Sequence, residues 1–539
     1  MSFANETFAP EPIPRKVHIS FEPWYQFAVL SLPLDGEGPL HRQTYRALRD
    51  AILGGRLRGG ERLVSSRILA RDLDISRNTI LQAYDQLVAE GYATTRAGSG
   101  TYVADVLPRR AERSGGAKAG TRAKSPVEGI GSRPSVGAAR GAARSTPVPL
   151  SAFARRMEES VPPRQASWSL PREKVAIDFR YGEPAYSDLP LATWARLLGR
   201  RARRLSVKRL AYQPPGGADE LREALAGYLA RARGVVSSPE RIVVVHGSQQ
   251  GIDLTTRLLV DSGDDVVLEE PHYTGFSFCL AALGAKVAYV PVDEQGLRVE
   301  ELPESGRPRL ACVTPSHQFP AGGVLSLPRR LALLEWASRH GAYVLEDDYD
   351  GEFRFEGRPI ESLQSLDRDE RVVYMGTASK LLFPALRIGW LVAPPALAGS
   401  LHAAKALSDT GTATLEQLAF ADFIAEGHLE RWVRRSRLRH ASRRRALIEA
   451  ARRELGDRAT ILGVSAGVHV LLRLEELSGR DVPRLRAACR ERGVGVYPAA
   501  PFYAKPPVRA ELLLGYAALG ERQVRDGIRR LREAVDSLG

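Results

Sequence analysis

The chain has 539 residues, a formal net charge of +14 and 44% hydrophobic residues, which allows more than one domain of an ordinary globular protein. The positive charge favours an anionic partner. Cys279, Cys312 and Cys489 are far apart and form no CxxC pair, which argues against a disulfide framework or a zinc site, and we predict no metal site. The chain shows no signal-peptide pattern and no apolar run of transmembrane length, so we expect a cytoplasmic protein and no membrane partner.

The first predicted domain covers residues 21–104 and follows a start, residues 1–20, that we expect to be disordered. Leu40–Leu53 carries apolar residues at helical spacing and ends at a pair of glycines, as a helix does. Ser65 and Ser66 stand at the start of one short segment with an apolar face, and Ser76 precedes the next. A serine hydroxyl at such a place can cap the start of a helix. Two short helices joined by a tight turn predict a helix-turn-helix.

The second helix of this unit begins at Arg77 and carries Asn78 and Thr79 in its first turn. The first turn of such a helix meets base edges and phosphates in DNA-binding proteins. Tyr92–Arg96 and Thr101–Val103 then predict a hairpin, placed as the wing of a winged helix would be. The alternative is a small helical domain that serves dimerisation.

Residues 38 to 103, which include the run SSRILARDLDISRNTILQAYDQLVAEGY, resemble the GntR-type winged helix. The resemblance implies contacts with double-stranded DNA from arginines and from the wing. The predicted DNA-binding residues are Ser65, Arg67, Ser76, Arg77, Asn78, Thr79, Arg96 and Gly98. Asp74 stands where that family has a turn glycine, at a cost of roughly 1 kcal/mol. Residues 31 to 104 hold ten Lys/Arg against eight Asp/Glu, a net of only +2, so specific contacts must carry recognition.

Residues 105–150 are rich in Ala, Gly, Ser, Pro and Arg, with nine Lys/Arg against three Asp/Glu. Such a stretch buries too little apolar surface to fold, so it predicts a basic flexible linker. One reading is a solvated tether, and the other is a tether that also makes non-specific phosphate contacts.

In residues 151–539 strands and helices alternate, which predicts an α/β domain with a mainly parallel sheet. The buried strand Val372–Met375 leads to Lys380, and the strand Ala342–Leu345 leads to an acidic segment that includes Asp347. A lysine in a low-dielectric setting has a depressed pKa and can act as a nucleophile. A carboxylate placed against a pyridine nitrogen keeps the ring of pyridoxal phosphate protonated.

These motifs resemble the fold-type I aminotransferases, and most closely the MocR/GabR-type regulators, whose TPSHQF motif also stands here at residues 314–319. The resemblance implies an α+β N-terminal winged helix-turn-helix joined by a flexible linker to an α/β aminotransferase domain of fold type I. It implies pyridoxal 5'-phosphate as cofactor, with Lys380 as the Schiff-base residue. The cofactor-binding residues that it implies are Tyr212, Ser248, Gln249, Tyr273, Asp347, Tyr349, Thr377, Ser379, Lys380 and Arg387.

Within that set, Asp347 matches the partner of the pyridine nitrogen, although the spacing leaves Asp348 possible. Tyr349 matches the partner of the cofactor's 3' oxygen. Tyr273 matches the ring that stacks on the pyridine. Tyr212 matches a tyrosine that reaches the phosphate of the neighbouring subunit, so the resemblance implies a homodimer with shared sites.

Two positions depart from the aminotransferase pattern. Phe319 stands where common aminotransferases have an asparagine that bonds the 3' oxygen, and His317 is a candidate to replace it. Leu513 stands where an arginine clamps the substrate carboxylate, and Arg509 is out of register. We therefore expect a transcription regulator that senses a small amine, an amino-acid-like effector or pyridoxal phosphate itself, with at most partial transaminase activity. The alternative is a working aminotransferase with an accessory DNA-binding domain.

Overall fold

The computed structural model describes residues 32–105, 149–160, 174–356 and 360–538. The expectations for residues 1–20 and for nearly all of the linker lie outside these ranges. The chain divides into two compact units, within Met1–Arg140 and Gly141–Gly539. No helix in the described ranges is long and apolar enough to cross a membrane.

The first unit is a winged helix. Its elements are α1 (Leu40–Leu53), α2 (Ser66–Asp72), α3 (Arg77–Ala89) and the antiparallel strands β1 (Ala93–Arg96) and β2 (Gly100–Val103). Ser65 accepts a hydrogen bond from the Ile68 N–H at 3.4 Å, and Ser76 accepts one from the Thr79 N–H at 3.2 Å, so the two predicted caps are confirmed. The turn residue Asp74 has a positive φ of 52°, the conformation that a glycine would adopt without strain.

The second unit alternates helices and strands. Its helices are α4 (Ala152–Ser160), α5 (Leu191–Arg203), α6 (Val207–Leu210), α7 (Asp219–Arg233), α8 (Ser248–Leu259), α9 (Thr274–Leu283), α10 (Leu327–His340), α11 (Ala378–Leu381), α12 (Pro395–Asp409), α13 (Thr414–Ala425), α14 (His428–Leu455), α15 (Val482–Glu491) and α16 (Glu521–Asp536). Its strands are β3 (Ile177–Asp178), β4 (Ile242–Val245), β5 (Asp265–Glu270), β6 (Lys286–Asp293), β7 (Gly296–Leu297), β8 (Pro308–Val313), β9 (Tyr343–Asp347), β10 (Val372–Thr377), β11 (Gly389–Val392), β12 (Ala459–Leu462), β13 (His469–Ser478), β14 (Val494–Gly495), β15 (Tyr497–Pro498) and β16 (Arg509–Gly515).

Eight of these strands form one sheet in the order β4-β11-β10-β9-β8-β5-β6-β7. Strands β10, β9, β8, β5 and β6 are parallel, whereas β11 is antiparallel to both β10 and β4. The mainly parallel sheet is therefore confirmed. The carboxyl ends of β4, β9 and β10 lie at one edge, where open α/β sheets place their ligands.

A second sheet has four antiparallel strands in the order β12-β13-β16-β15. Strand β13 pairs with β16 in a register that sets His469 opposite Gly515 and Leu471 opposite Leu513. Since side chains alternate between the faces of a strand, His469, Leu471 and Leu513 share one face. The other face carries Leu472, whose cluster packs against residues of α14, α15 and α16.

Candidate functional site

A cavity of about 560 Å³ lies at the carboxyl edge of the large sheet. Nine of the ten residues predicted to bind the cofactor line it, and Tyr212 is the exception. The nine are Ser248, Gln249, Tyr273, Asp347, Tyr349, Thr377, Ser379, Lys380 and Arg387. They come from the ends of strands β9 and β10, from the starts of helices α8, α9 and α11, and, for Arg387, from the turn just before β11, so the sheet edge gathers residues that are far apart in the chain.

Lys380 is fixed by the turn that follows β10. The Thr377 hydroxyl accepts a hydrogen bond from the Ser379 N–H at 3.2 Å and so caps the short helix α11. The Lys380 ammonium donates to the Gly182 carbonyl oxygen at 2.8 Å. A Cβ at Gly182 would lie 2.7 Å from Lys380 Nζ, so this position needs a glycine. Burial lowers the pKa of Lys380, which favours the uncharged amine that a nucleophile requires.

The two adjacent aspartates have different environments. Asp348 accepts two hydrogen bonds from the Arg233 guanidinium, at 2.6 and 3.1 Å, and one from the Tyr374 hydroxyl at 2.8 Å. Asp347 lines the cavity and is buried, and within the described part of the chain its Oδ1 has no hydrogen-bond partner. Burial raises the pKa of Asp347 to about 8. Of the two carboxylates, Asp347 is therefore available to a ligand and Asp348 is occupied.

A buried polar group stands behind the Tyr349 phenol. The Tyr349 oxygen lies 2.9 Å from His317 Nδ1, which is also 3.1 Å from Asp350 Oδ2. His317, Asp350 and His469 offer nitrogen and oxygen atoms within 4.8 Å of one another. His469, which lines the cavity, is not among the residues predicted from the sequence. The signal available for it was a lone histidine in an otherwise apolar strand start, VHVLL.

The N-terminus of α8 lies at the cavity, and the backbone there is arranged to bind an anion. Ser248 and Gln249 are the first residues of α8, where free N–H groups and the helix dipole favour negative charge. The Arg387 guanidinium donates to the His246 carbonyl oxygen at 2.6 Å. Gly247 has a φ of 76°, and a Cβ there would lie 2.9 Å from that guanidinium. A side chain at Gly247 would therefore displace Arg387.

An aromatic and aliphatic cluster packs against the cavity, and Phe319 and Tyr273 line the cavity as well. Tyr273 and Phe319 pack edge to face with ring centroids 5.7 Å apart, and Phe319 and Phe502 do so at 4.9 Å. Leu513 is fully buried in the same cluster. Arg509, at the other end of β16, is exposed, so it does not take the place of the arginine that Leu513 replaces.

The remaining predicted residues lie on surfaces. Tyr212 is 94% exposed. In the winged helix, seven of the eight predicted DNA-binding residues are exposed and Thr79 is half-buried. The Arg77 guanidinium donates to the Ser66 hydroxyl at 3.3 Å, and the Arg96 guanidinium lies 4.4 Å from the centre of the Tyr102 ring. Arg77 is the first residue of α3, the recognition helix of the winged helix, and Arg96 lies on the wing.

Comparison with known proteins identifies both units. Residues 175–531 match the family described as aminotransferase class I and II, and residues 40–103 match bacterial regulatory proteins of the gntR family. The chain is 38% identical to the probable rhizopine catabolism regulatory protein MocR of Rhizobium meliloti, over 95% of this chain and 96% of that protein. It is 29% identical to the pyridoxine biosynthesis regulator PdxR of Corynebacterium glutamicum, over 92% of this chain and 96% of that one.

Solved structures of aminotransferases are also similar to this chain. The α-aminoadipate aminotransferase LysN of Thermus thermophilus, complexed with N-(5'-phosphopyridoxyl)-L-leucine, is 30% identical, has a TM-score of 0.65, and aligns over 72% of this chain and 97% of its own. The kynurenine aminotransferase of Pyrococcus horikoshii is 28% identical with a TM-score of 0.63, over 67% and 91%.

The aminotransferase-like domain of this chain binds pyridoxal phosphate. The residues that line its cavity also suit that cofactor. The unpartnered Asp347 oxygen suits a protonated ring nitrogen. The start of α8 and the guanidinium of Arg387 suit a phosphate. The chain belongs to the aminotransferase class I and II family and, through its GntR-type winged helix, to the MocR-type regulators.

Proposed function

We propose that this protein is a cytoplasmic, homodimeric transcription regulator that binds operator DNA and senses a small amine or amino-acid-like effector through its pyridoxal phosphate site. One observation carries the proposal. A winged helix with an exposed recognition helix stands in the same chain as a cavity that combines Lys380 with the unpartnered carboxylate of Asp347.

Each residue of the cavity has a proposed task toward the cofactor. Pyridoxal phosphate, when bound, supplies an electrophilic carbon for amines and a ring that withdraws electrons. Lys380 would hold that carbon covalently, and Asp347 would accept a hydrogen bond from the ring N–H. Tyr273 would cover one face of the ring. The phosphate ligands are Ser248, Gln249, Thr377, Ser379 and Arg387.

Tyr349 is proposed to contact the cofactor's 3' oxygen without an asparagine beside it. Phe319 has no hydrogen-bonding group, and its ring packs against Phe502. His317 lies behind the tyrosine at 2.9 Å, so it positions the phenol rather than reaching the cofactor. The contact of Tyr349 with the 3' oxygen, with His317 behind the phenol, takes the place of the asparagine contact in common aminotransferases.

The dimer is proposed because Tyr212 matches a tyrosine that, in the aminotransferases, reaches the cofactor phosphate of the neighbouring subunit. Its side chain is 94% exposed, which is unusual for a tyrosine of a folded domain. Val207 and Leu210, on the short helix just before it, are also exposed, at 84% and 70%. An apolar surface of this kind is typical of a protein contact.

DNA binding is assigned to the N-terminus of α3 and to the wing. Arg77, Asn78 and Thr79 stand in the first turn of α3, and Ser65 and Arg67 stand at the start of α2. In such domains the first turn of the recognition helix reads bases while neighbouring hydroxyls and the wing contact phosphates. Arg96 and Gly98 belong to the wing.

Signalling follows from a difference in binding. An amine that took the place of Lys380 on the cofactor would release the lysine amine into the cavity and fill space against its wall. A ligand shifts a conformational equilibrium only by its difference in affinity for the two states. The released side chain and the new packing would provide such a difference, which would bias the arrangement of the DNA-binding domains.

The second candidate function is a working aminotransferase. Lys380, Asp347 and Tyr349 together favour it, since they are the groups that act on the cofactor and on the proton to be moved. Leu513 opposes it, because an apolar side chain cannot hold a carboxylate in the geometry that both half-reactions need.

The proposal is tested by measuring affinity for the DNA upstream of the protein's own gene. The measurement is made on protein with and without pyridoxal phosphate and over a panel of amines. We expect one or more amines to change the affinity at least fivefold in the cofactor-loaded protein and less than twofold in Lys380→Ala. No specific DNA binding, or equal responses of both proteins, would refute the regulator.

A further inference from the structure

One part of the cavity lining is an aromatic wall of Tyr181, Tyr273 and Phe319, with an apolar cluster packed behind it. Leu513 is fully buried in a cluster with Phe319 and Phe502. Tyr181 packs edge to face on Phe502 with centroids 5.7 Å apart and lines the cavity in front of this cluster. A carboxylate placed against this wall would lose its hydration without gaining a charged partner, which is strongly unfavourable.

The cationic side chains that line the cavity within the described residues are Arg180, Lys380 and Arg387. In the proposed function, Lys380 and Arg387 are occupied in binding the cofactor. Arg180 lies 3.2 Å from the Glu183 carboxylate, and both side chains are largely buried. A second carboxylate at Arg180 would have to compete with that of Glu183, which lies three residues further along the same segment.

His469 adds a polar atom to the same region. It lines the cavity, is 2% exposed, and its Nε2 has no hydrogen-bond partner among the residues that the structure describes. A hydrogen bond joins its ring to the Pro320 carbonyl, and burial lowers its pKa well below the ordinary value. A neutral imidazole that donates through one nitrogen accepts through the other. His469 therefore offers an acceptor and no charge.

We propose that the effector is an amine whose other polar groups are uncharged, such as hydroxyls, and that His469 accepts a hydrogen bond from one of them against the aromatic wall. The inference rests on the proposed function, because the amine is taken to enter at Lys380. It assigns to His469 a role in choosing the effector. It excludes ordinary α-amino acids as preferred effectors.

The test uses the full-length protein loaded with pyridoxal phosphate and three small amines. 2-Aminoethanol and L-serine differ by a carboxylate, whereas 2-aminoethanol and propylamine differ by the exchange of a hydroxyl for a methyl group. The measurement is the visible absorbance of the bound cofactor against the concentration of the unprotonated amine. We expect half-saturation with 2-aminoethanol at a concentration at least tenfold lower than with L-serine. Equal or tighter binding of L-serine would overturn the inference.

Variants separate the parts of the wall. His469→Phe keeps a ring and removes the acceptor. It should therefore weaken the binding of 2-aminoethanol at least fivefold and leave the binding of propylamine unchanged. His469→Gln, which restores an acceptor, should recover part of the loss. A His469→Phe protein with unchanged preference between these amines would overturn the role of His469. Circular dichroism checks that each variant is folded.

Two further variants test the carboxylate. Leu513→Arg should make L-serine bind at least as tightly as 2-aminoethanol. Leu513→Met is the matched control and should not have this effect. Where Leu513→Arg fails to fold, Arg180→Gln decides. If L-serine binds the wild type well and Arg180→Gln abolishes this, Arg180 is the carboxylate anchor and the inference is wrong.

DNA affinity measured in parallel distinguishes the two proposals. A preference for 2-aminoethanol with no effect of any amine on DNA affinity would support the assignment of the wall and refute the regulator as proposed. A preference for L-serine that does change DNA affinity would refute the inference and leave the regulator standing. No response of the bound cofactor to any of the three amines would refute both.

Discussion

Replacing Asp347 with asparagine should stabilise the cofactor-free protein increasingly as the pH rises. Burial raises the pKa of Asp347 from 3.8 to about 8, so the folded protein holds this proton over a pH range in which the unfolded chain releases it. The free energy of unfolding therefore falls with rising pH between those two values. Between about pH 5 and pH 8 this loss amounts to about 4 kcal/mol at most. Asparagine does not titrate, so the Asp347→Asn protein does not undergo this loss in the free energy of unfolding.

The assay compares melting temperatures of cofactor-free wild type and Asp347→Asn at several pH values. For a domain of this size a loss of about 4 kcal/mol corresponds to roughly 5 °C, so the advantage of the variant should grow by several degrees. Glu269, Glu346 and Glu352 are also buried with pKa values raised to about 7. Glu346 and Glu352 contribute the same slope to both proteins, whereas Glu269 and Lys380 interact electrostatically with Asp347. The difference between the proteins therefore reports Asp347 together with its coupling to those two groups.

Saturating pyridoxal phosphate should reverse the order of the two proteins. A protonated ring nitrogen beside Asp347 stabilises the carboxylate, and asparagine loses that attraction. Asp293→Asn is the control, because that carboxylate lies on the surface, 2.6 Å from the Arg329 guanidinium, and its pKa is lowered. Parallel pH profiles of wild type and Asp347→Asn, or no reversal with the cofactor, would refute the reasoning.

Three further outcomes are expected. Lys380→Ala should lose the visible absorbance of bound pyridoxal phosphate and stay folded by circular dichroism, and an unchanged spectrum would contradict the role of this lysine. Arg77→Ala should weaken specific DNA binding by roughly 1–3 kcal/mol in a gel titration, and a change below twofold would show that α3 is misplaced. Steady-state transamination over a panel of amino donors with 2-oxoglutarate or pyruvate should stay below about 1 s⁻¹, and faster turnover would favour the enzyme.

Features set by neighbouring residues could be predicted from the sequence. Ser65 and Ser76 were predicted as helix caps because a cap depends on the three or four residues that follow it. The strand that leads to Lys380 was predicted because a short apolar run needs no distant information. Both predictions are confirmed by the structure.

Features set by distant residues could not be predicted. The choice between Asp347 and Asp348 depends on Arg233, which is 115 residues away and occupies Asp348. The position of His469 depends on the pairing of β13 with β16, whose register sets it on the face of Leu513. A shift of one residue in that register would turn His469 away from the cavity.

The two departures that the sequence showed separately, Phe319 and Leu513, pack in one apolar cluster, of which Phe319 lines the cavity. Lys380 and Asp347 also line the cavity and serve the reaction with any primary amine. Selectivity among amines must therefore come from the wall. A transaminase has to hold an amino acid and a keto acid in reactive geometry, one after the other. A sensor requires only a difference in binding between two states, which an uncharged wall with one hydrogen-bond acceptor can supply.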